Sequence, residues 1–366
     1  MKIVIFGLTI SSSWGNGHAT LWRGLCKTLV RMGHDVVFYE HDVPYYAGTR
    51  DVFELAGGRL ELYPAWDAIR SHASADVNEA DAAIVTSYCP DGLAATELVT
   101  EQARALRIFY DLDTPVTLAK LRAGEAVPYI GPRGLQDFDL VLSFTGGPRV
   151  FEEFQRRLGA RRIAALYGHV DPEVHRPVAP QPHYRADLSY LGTYSEDRQR
   201  ALEALFVDPA RRRQDLRFLI GGAQYPQDFP WSKNIYFVRH LPPSEHAAFF
   251  ASSRMTLNVT RHAMAEMGWC PSGRLFEAAA CGVPLLSDAW DGIGDFFEPF
   301  EEIILVRDEH DTLAAFENDD VTLQRVARRA RERTLDQHSS ARRAADLVQF
   351  LERPERGCAR QLVEEA

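Results

Sequence analysis

Cysteine is scarce: the 366 residues hold five (Cys26, Cys89, Cys270, Cys281 and Cys358), an odd number with no C-x-x-C pair. That pattern excludes a disulfide framework and a zinc cage, and the reducing cytoplasm is the expected setting. Long apolar runs are also missing. None approaches the roughly 18 residues that cross a bilayer, and the opening M-K-I-V-I-F-G is too short for a signal peptide and reads as a first strand. There is no excess of positive charge. Forty-one Lys and Arg stand against 51 Asp and Glu, a net charge of -10, which argues against nucleic acid or an anionic membrane as a general partner. The loop after the first strand contains neither G-x-G-x-x-G nor G-x-x-x-x-G-K-[ST], so dehydrogenase and P-loop chemistry are disfavoured. No internal repeat or low-complexity tract occurs.

What is present is a regular alternation of strand and helix. The length suffices for two domains, and an apolar content of 46% permits two cores. Lys2 to Gly7 reads as a buried strand, and L-T-I-S-S-S-W-G-N-G-H, Leu8 to His18, as a Ser- and Gly-rich loop. Leu21, Trp22, Leu25, Cys26, Leu29 and Val30 then recur at helical spacing, Gly33 stops the helix, and Asp35 to Glu40 is the next strand. Strand, loop, helix, strand is a βαβ unit and predicts a parallel sheet. Strand patterns recur at Asp81 to Ser87, Arg107 to Asp111, Asp139 to Phe144 and Arg161 to Leu166.

Tyr167 to Tyr184 carries four prolines and no helical period, the mark of a linker. A second series begins at Asp187 to Gly192. Gly192-Thr193-Tyr194-Ser195 reads as a glycine turn entering a helix capped by Ser195. Strands are expected at Leu216 to Ile220, Ile235 to Val238, Met255 to Val259 and Glu302 to Val306, with three Arg- and Ala-rich helices between Thr312 and Leu351. The expected organisation is a first domain over 1–168, a linker over 169–184, a second domain over 185–335, and a C-terminal helix and tail over 336–366.

The most informative stretch is P-S-G-R-L-F-E-A-A-A-C-G-V-P-L-L-S-D, Pro271 to Asp288. Ser272 is a candidate N-cap, because its hydroxyl can accept from a free amide of the first turn. Leu275, Ala278 and Ala279 supply an apolar face, Gly282 can take the left-handed conformation that ends a helix, and Val283 to Leu286 is a buried strand. Arg274 and Glu277 are placed near the helix start, where free amides and a partial positive charge seat phosphate. A carboxylate one turn further in can hold a sugar diol, or simply stabilise the helix dipole.

R-L-F-E-A-A-A-C-G-V-P-L-L-S-D resembles the nucleotide-sugar motif of retaining glycosyltransferases with the glycosyltransferase B fold. The wider block, N-V-T-R-H-A-M through P-S-G-R-L-F-E to the following Asp-Gly and Phe-Glu-Pro, resembles the CgeB-like branch. D-L-D-T-P-V-T-L and F-D-L-V-L-S-F-T-G-G-P extend that resemblance to the first half, and V-D-P-E-V-H-R-P is similar to the interdomain segment of this class. The resemblance implies an α/β chain of two Rossmann-like domains facing across a cleft, with the last helix returning to the first domain. It implies transfer of a glycosyl group from a UDP-, GDP- or dTDP-sugar to a hydroxyl-type acceptor, with no metal and no cofactor beyond the donor, and with retention. A sugar-nucleotide epimerase and a non-enzymatic nucleotide-sugar binder are the alternatives. In the family a partner glutamate precedes the diol-binding one with seven residues between. Trp269 stands there in this chain, and the nearest upstream acid is Glu266.

Carried onto this sequence, Glu277 binds the donor ribose, with Ser272 and Gly273 at the same helix start. Arg274 is a candidate for a bidentate grip on the diphosphate, the plain reading being a salt bridge to Glu266 or Asp288. Arg261 is a second phosphate cation after the Met255 to Val259 strand, with Asn258 and Thr260 beside it. Gly192, Thr193 and Tyr194 complete the donor side. Gly15, Asn16 and Gly17 permit close backbone approach, and Asp291 and Gly292 are candidates for contact with the transferred sugar. His18 has the intrinsic pKa of a general base, and Asp113 is the other candidate base. The plain readings are a capping histidine and an Asx turn before Pro115. Asp111-x-Asp113 is a D-x-D spacing in the first half, but Pro115 follows it too closely for a metal loop.

Overall fold

A computed structural model describes residues 1–15, 17–101 and 104–352. Asn16 and Cys358 lie outside the described residues. The chain divides into two compact units, Met1–Tyr167 with the segment from Ala341 onward, and Gly168–Ser340.

The first unit is built on seven strands: β1 (Lys2–Gly7), β2 (Asp35–His41), β3 (Arg59–Tyr63), β4 (Ala82–Thr86), β5 (Leu106–Asp111), β6 (Leu140–Ser143) and β7 (Ile163–Ala165). They form one parallel sheet in the order β3-β2-β1-β4-β5-β6-β7. Residues Ile3 to Phe6 of β1 are fully buried, as a strand covered on both faces requires. Ile3 pairs with Val36 on one side and Ala82 on the other, which fixes the register of the sheet centre. The second unit has six strands: β8 (Ala186–Leu191), β9 (Phe218–Gly222), β10 (Ile235–Arg239), β11 (Ser253–Asn258), β12 (Leu285–Ser287) and β13 (Ile304–Leu305). Their order is β10-β9-β8-β11-β12-β13, again parallel throughout. Leu188 and Met255, paired across β8 and β11, lie in a core with Phe206, Phe218 and Leu286.

Both sheets are doubly wound, so the expected two Rossmann-like α/β domains are what the chain forms. In each sheet the strand order reverses at one place, between β1 and β4 and between β8 and β11. Connections leave those strands in opposite directions, and open α/β sheets bind their ligands at the carboxyl ends beside such a reversal.

Several local expectations shift. The strand expected at Val283 to Leu286 starts two residues later. The Pro284 carbonyl accepts from the Thr256 amide at 3.0 Å, but proline has no amide to return. Ser195 stands at the N-cap of the helix Glu196–Leu202, yet its hydroxyl donates to Asp197 instead of accepting from the helix. β3 and the helix Trp66–Glu79 have no counterpart in the sequence reading. β3, R-L-E-L-Y, is an edge strand only partly buried, so it lacks a clean apolar run. In the helix Ser340–Glu352, residues from Ala341 belong to the first unit. Arg162 donates to the Phe350 carbonyl at 2.9 Å, and the buried Arg343 pairs with Asp346 at 2.6 Å. No helix among the described residues is long and apolar enough to cross a membrane.

Candidate functional site

The donor-side candidates gather at the carboxyl end of the second sheet, around the reversal between β8 and β11. Gly192 follows β8 directly. Its carbonyl lies so close to Gly222 that a Cβ at Gly222 would stand 2.0 Å from it, so the neighbouring strand end must be glycine. Tyr225 Oη donates to the same carbonyl at 3.2 Å, and Arg198 Nη2 donates to the Thr193 carbonyl at 2.7 Å. Tyr194 stacks edge-on with Tyr225. At the end of β11, Asn258 Nδ2 donates to Ser287 Oγ at 3.1 Å, and the Thr260 amide and hydroxyl both donate to Asp288, at 2.9 and 3.0 Å. Burial pushes the Asp288 carboxyl up, against those two donors. Arg261 leaves this turn and its Nε lies 3.3 Å from Asp197, which ties the end of β11 to the helix that follows β8.

The helix Gly273–Cys281 forms as its sequence demands. Ser272 accepts from the Arg274 amide at its start, and Gly282 closes it at φ 78°. Such a cap contributes about 1 kcal/mol. Arg274 and Glu277, three apart on one face, form an ion pair with each other, not with Glu266 or Asp288. Glu277 is 4% exposed, while the Arg274 side chain is 31% exposed. Burial by itself would raise the Glu277 carboxyl. The Arg274 guanidinium outweighs it and holds the group down at about 2, with two imidazoles close by. Those imidazoles are His175 Nε2, 3.9 Å from Glu277 Oε2, and His246 Nδ1, 3.7 Å away. Burial, and after it the Arg274 charge, keeps His246 well below the ordinary histidine value, so it is neutral.

Trp269, eight residues before Glu277, takes a left-handed backbone at φ 43°. Its amide donates to the Asp291 carbonyl at 2.7 Å and its Nε1 donates to Asp295 at 2.6 Å. Gly292, at φ 87°, lies under the indole, where a Cβ would come within 2.5 Å of the ring. The Asp291–Gly292 turn therefore packs against Trp269.

In the first unit the loop after β1 is held from beneath by Glu40, at the end of β2. This fully buried carboxylate accepts from Thr9 Oγ1 at 2.8 Å and from the amides of Ile10 and Ser11 at 2.8 and 3.0 Å. Dinucleotide-binding folds place their ribose-binding acid in this region. Here it faces inward, in keeping with the missing glycine signature. Gly15, exposed at φ 59°, and Gly17, the N-cap of the next helix, form the tip. His18 opens that helix, with Nε2 3.8 Å from Asp113 Oδ2, so the two candidate bases are brought together. Burial lowers the His18 pKa, and the nearby Asp113 carboxylate works in the opposite direction. Asp111, the last residue of β5, is fully buried; it accepts from the Asp113 amide at 3.0 Å, and burial pushes it up to about 7.

His175, His246 and the packing role of Trp269 escape sequence reasoning. The two histidines lie 71 residues apart and carry no local pattern. Only the placement of His175 inside V-D-P-E-V-H-R-P offered a signal.

Residues 198–349, less than half of the chain, match the family model described as glycosyl transferase-like. No curated protein matches the sequence. Among solved structures, sucrose-phosphate synthase from Thermosynechococcus elongatus is 14% identical, with 96% of this chain and 98% of that one covered at a TM-score of 0.68. HepE from Anabaena, in complex with UDP-glucose, is 11% identical over 96% and 99%, also at 0.68. A DNA-modifying β-glucosyltransferase, studied with and without uridine diphosphoglucose, is 15% identical over 96% and 100% at 0.62. At such identities the likeness is one of fold, and the fold is the glycosyltransferase B fold.

Proposed function

We propose that this protein is a glycosyltransferase, of the CgeB-like branch, that moves a sugar from a nucleotide-sugar donor to a hydroxyl-bearing acceptor without a metal ion. The observation that carries this reading is the Arg274–Glu277 pair at the start of the helix Gly273–Cys281, beside the strand reversal of the second sheet. Arg274 supplies a cation with part of its surface open, and Arg261 supplies a second one from the end of β11. A departing nucleoside diphosphate gains negative charge in the transition state, and fixed cations stabilise it without metal. Glu277 is kept ionised, the form that accepts from ribose hydroxyls. The family match over residues 198–349 supports a glycosyltransferase, and a structural neighbour bound to UDP-glucose supports a uridine donor.

On the first unit His18 and Asp113 are the candidates to take the acceptor proton, with Gly15 and Gly17 beside them. A neutral imidazole 3.8 Å from a carboxylate is suited to accept a proton and to be stabilised once charged. Retention is the stereochemistry that the resemblance implies. With Trp269 in the place of the partner glutamate, it would be achieved without that carboxylate.

The test is incubation with UDP-, GDP- and dTDP-sugars, with and without a panel of hydroxyl acceptors. Acceptor-dependent release of nucleoside diphosphate is expected. Isomerised donor without acceptor would instead establish an epimerase, and binding without turnover a non-enzymatic protein.

A further inference from the structure

The helix Pro243–Ala251 contributes nothing to the site as read from sequence, yet one of its side chains is bound to the centre of it. His246, in the middle of that helix, is buried. Its Nε2 lies 3.3 Å from the Leu241 carbonyl, which can only accept, so Nε2 carries the proton. In the neutral ring Nδ1 then presents a bare lone pair. Arg274 Nη1 donates to it at 3.1 Å and also contacts Glu277. His175 Nε2 approaches the same Nδ1 at 3.3 Å from the other side. Arg274 Nε and Nη2 have no side-chain or carbonyl partner among the described residues. One nitrogen of the guanidinium is thus anchored and another edge is left open.

We propose that His246 is a positioning residue: its Nδ1 anchors Arg274 so that the open edge of the guanidinium meets the diphosphate of the donor. The inference rests on the donor-site reading of Arg274 and Glu277. An unanchored arginine loses rotamer freedom when it is fixed, and ordering it beforehand removes part of that cost from binding. A bidentate grip on phosphate needs two parallel donors in one plane, so the orientation of the guanidinium matters as much as its charge. A carboxylate alone, at one end of a flexible pair, does not fix that plane. A second anchor at Nη1 does. His175, Nδ1 of which has no partner among the described residues, closes the far side of the imidazole.

Three donor atoms of His175, His246 and Glu277 lie within 4.8 Å of one another, a set that also suits a divalent metal. Arg274 Nη1 lies against two of the same atoms, so the cation in that place is the guanidinium.

The test is calorimetric titration with UDP. Arg274→Ala is expected to weaken binding at least tenfold. His246→Gln keeps a donor near the Leu241 carbonyl but removes the acceptor at Nδ1, and should weaken binding three- to tenfold. His246→Asn keeps an acceptor near Nδ1 and should stay within twofold of the parent, although it loses the Leu241 contact. Adding His246→Gln to Arg274→Ala should change nothing further, because the imidazole acts through the arginine. A purely structural histidine would give the reverse order, Asn worse than Gln. That order would overturn the proposal, as would additive effects or an unaffected His246→Gln in a protein where Arg274→Ala is impaired. An unaffected Arg274→Ala would sink the donor-site reading itself and the proposal with it. Stoichiometric Co(II) binding with a tetrahedral visible spectrum, lost in His175→Ala, would replace the guanidinium anchor with a metal site.

Discussion

Asp111 and Glu277 are both buried carboxyl groups near the carboxyl ends of parallel strands, one in each unit, and they differ by about a neutral-to-acid range in proton affinity. Asp111 is pushed up to about 7 and Glu277 is held down at about 2. Burial drives both in the same direction. The difference is the company. Asp111 has the Asp113 amide at 3.0 Å and a second carboxylate nearby, while Glu277 has a guanidinium against it. Under the proposed function the division is sensible: a proton-bearing site on the first unit serves hydroxyl chemistry, and a fixed ion pair on the second serves an anionic nucleotide.

The strongest way to break this contrast is to remove the cation. Arg274→Ala should leave Glu277 buried and unpaired, which costs roughly 3 kcal/mol or more for a buried pair. The melting temperature should fall, and the Glu277 carboxyl should move from its depressed value towards that of Asp111. Carbon-13 NMR of the carboxyl gives that pKa directly. A Glu277 resonance still titrating near 2 in the variant would show that something other than Arg274 sets the contrast. Glu277→Ala should weaken nucleotide binding by about tenfold or more, for about 1.5–3 kcal/mol in lost bonds to a charged group. Because Glu277 is 4% exposed, that variant should also melt lower, an effect that a solvent-facing residue would not show.

Acid should act first through the buried histidines, His18 in the first unit and His175 and His246 in the second. The buried His175 and His246 have lowered pKa values in the folded state, so the unfolded chain binds their protons more readily below the ordinary value of 6.5. Stability should begin to fall there as pH drops. Glu277, lowered from 4.5 to about 2, contributes stability that is present above 4.5 and is lost as pH falls towards 2, on the order of 3 kcal/mol in all. Urea denaturation of the Asp111→Asn variant, in which the opposing titration of Asp111 is removed, at pH 7.5, 5.5 and 4 checks the sign. Equal stability at the first two values would mean that the histidines are not held neutral.

The helix Gly273–Cys281 was legible in the sequence because its determinants are local: Ser272 at one end, Gly282 at the other and an apolar stripe between. The two parallel sheets were legible for the same reason, since β1, β2 and β4 are unbroken apolar runs. The polar cluster around Arg274 was not. Three segments distant in sequence meet there, and nothing in P-S-E-H-A-A-F-F-A marks its histidine as different from any other on an apolar helix face. Trp269 illustrates the same limit. The resemblance implies a glutamate where the sequence has Trp269, and only packing against Gly292 shows what the indole does.

A smaller effect is expected at Asp111. Its folded pKa is raised from 3.8 to about 7, so its contribution to stability is complete below 3.8 and is lost as pH rises through 7. Asp111→Asn keeps the acceptor for the Asp113 amide and removes the charge. It should stabilise the protein by about 1 kcal/mol at pH 8 and change little at pH 4. Thermal melts at the two pH values decide. Destabilisation at pH 8 would mean that the charged form has a partner in the folded protein.

The smallest expected effect is that of chelation, and it probes both carboxyl sites together. Asp111-x-Asp113 has the spacing of a metal-binding pair, and His175, His246 and Glu277 have the donor types of another. Each is otherwise engaged. Asp111 is fully buried with its carboxyl pushed up to about 7, and one oxygen accepts from the Asp113 amide, so it is a poor ligand for a hard cation. At the second cluster Arg274 already neutralises Glu277. Activity, once a donor and acceptor are found, should therefore survive prolonged treatment with EDTA within experimental error. Complete loss, restored by magnesium or manganese, would point to Asp111 and Asp113, because those ions prefer oxygen ligands. Loss restored only by zinc or cobalt would point to the histidines. Either result would reverse the proposed division of labour, placing the essential cation in a metal and leaving Arg274 as its counterpart in the empty state.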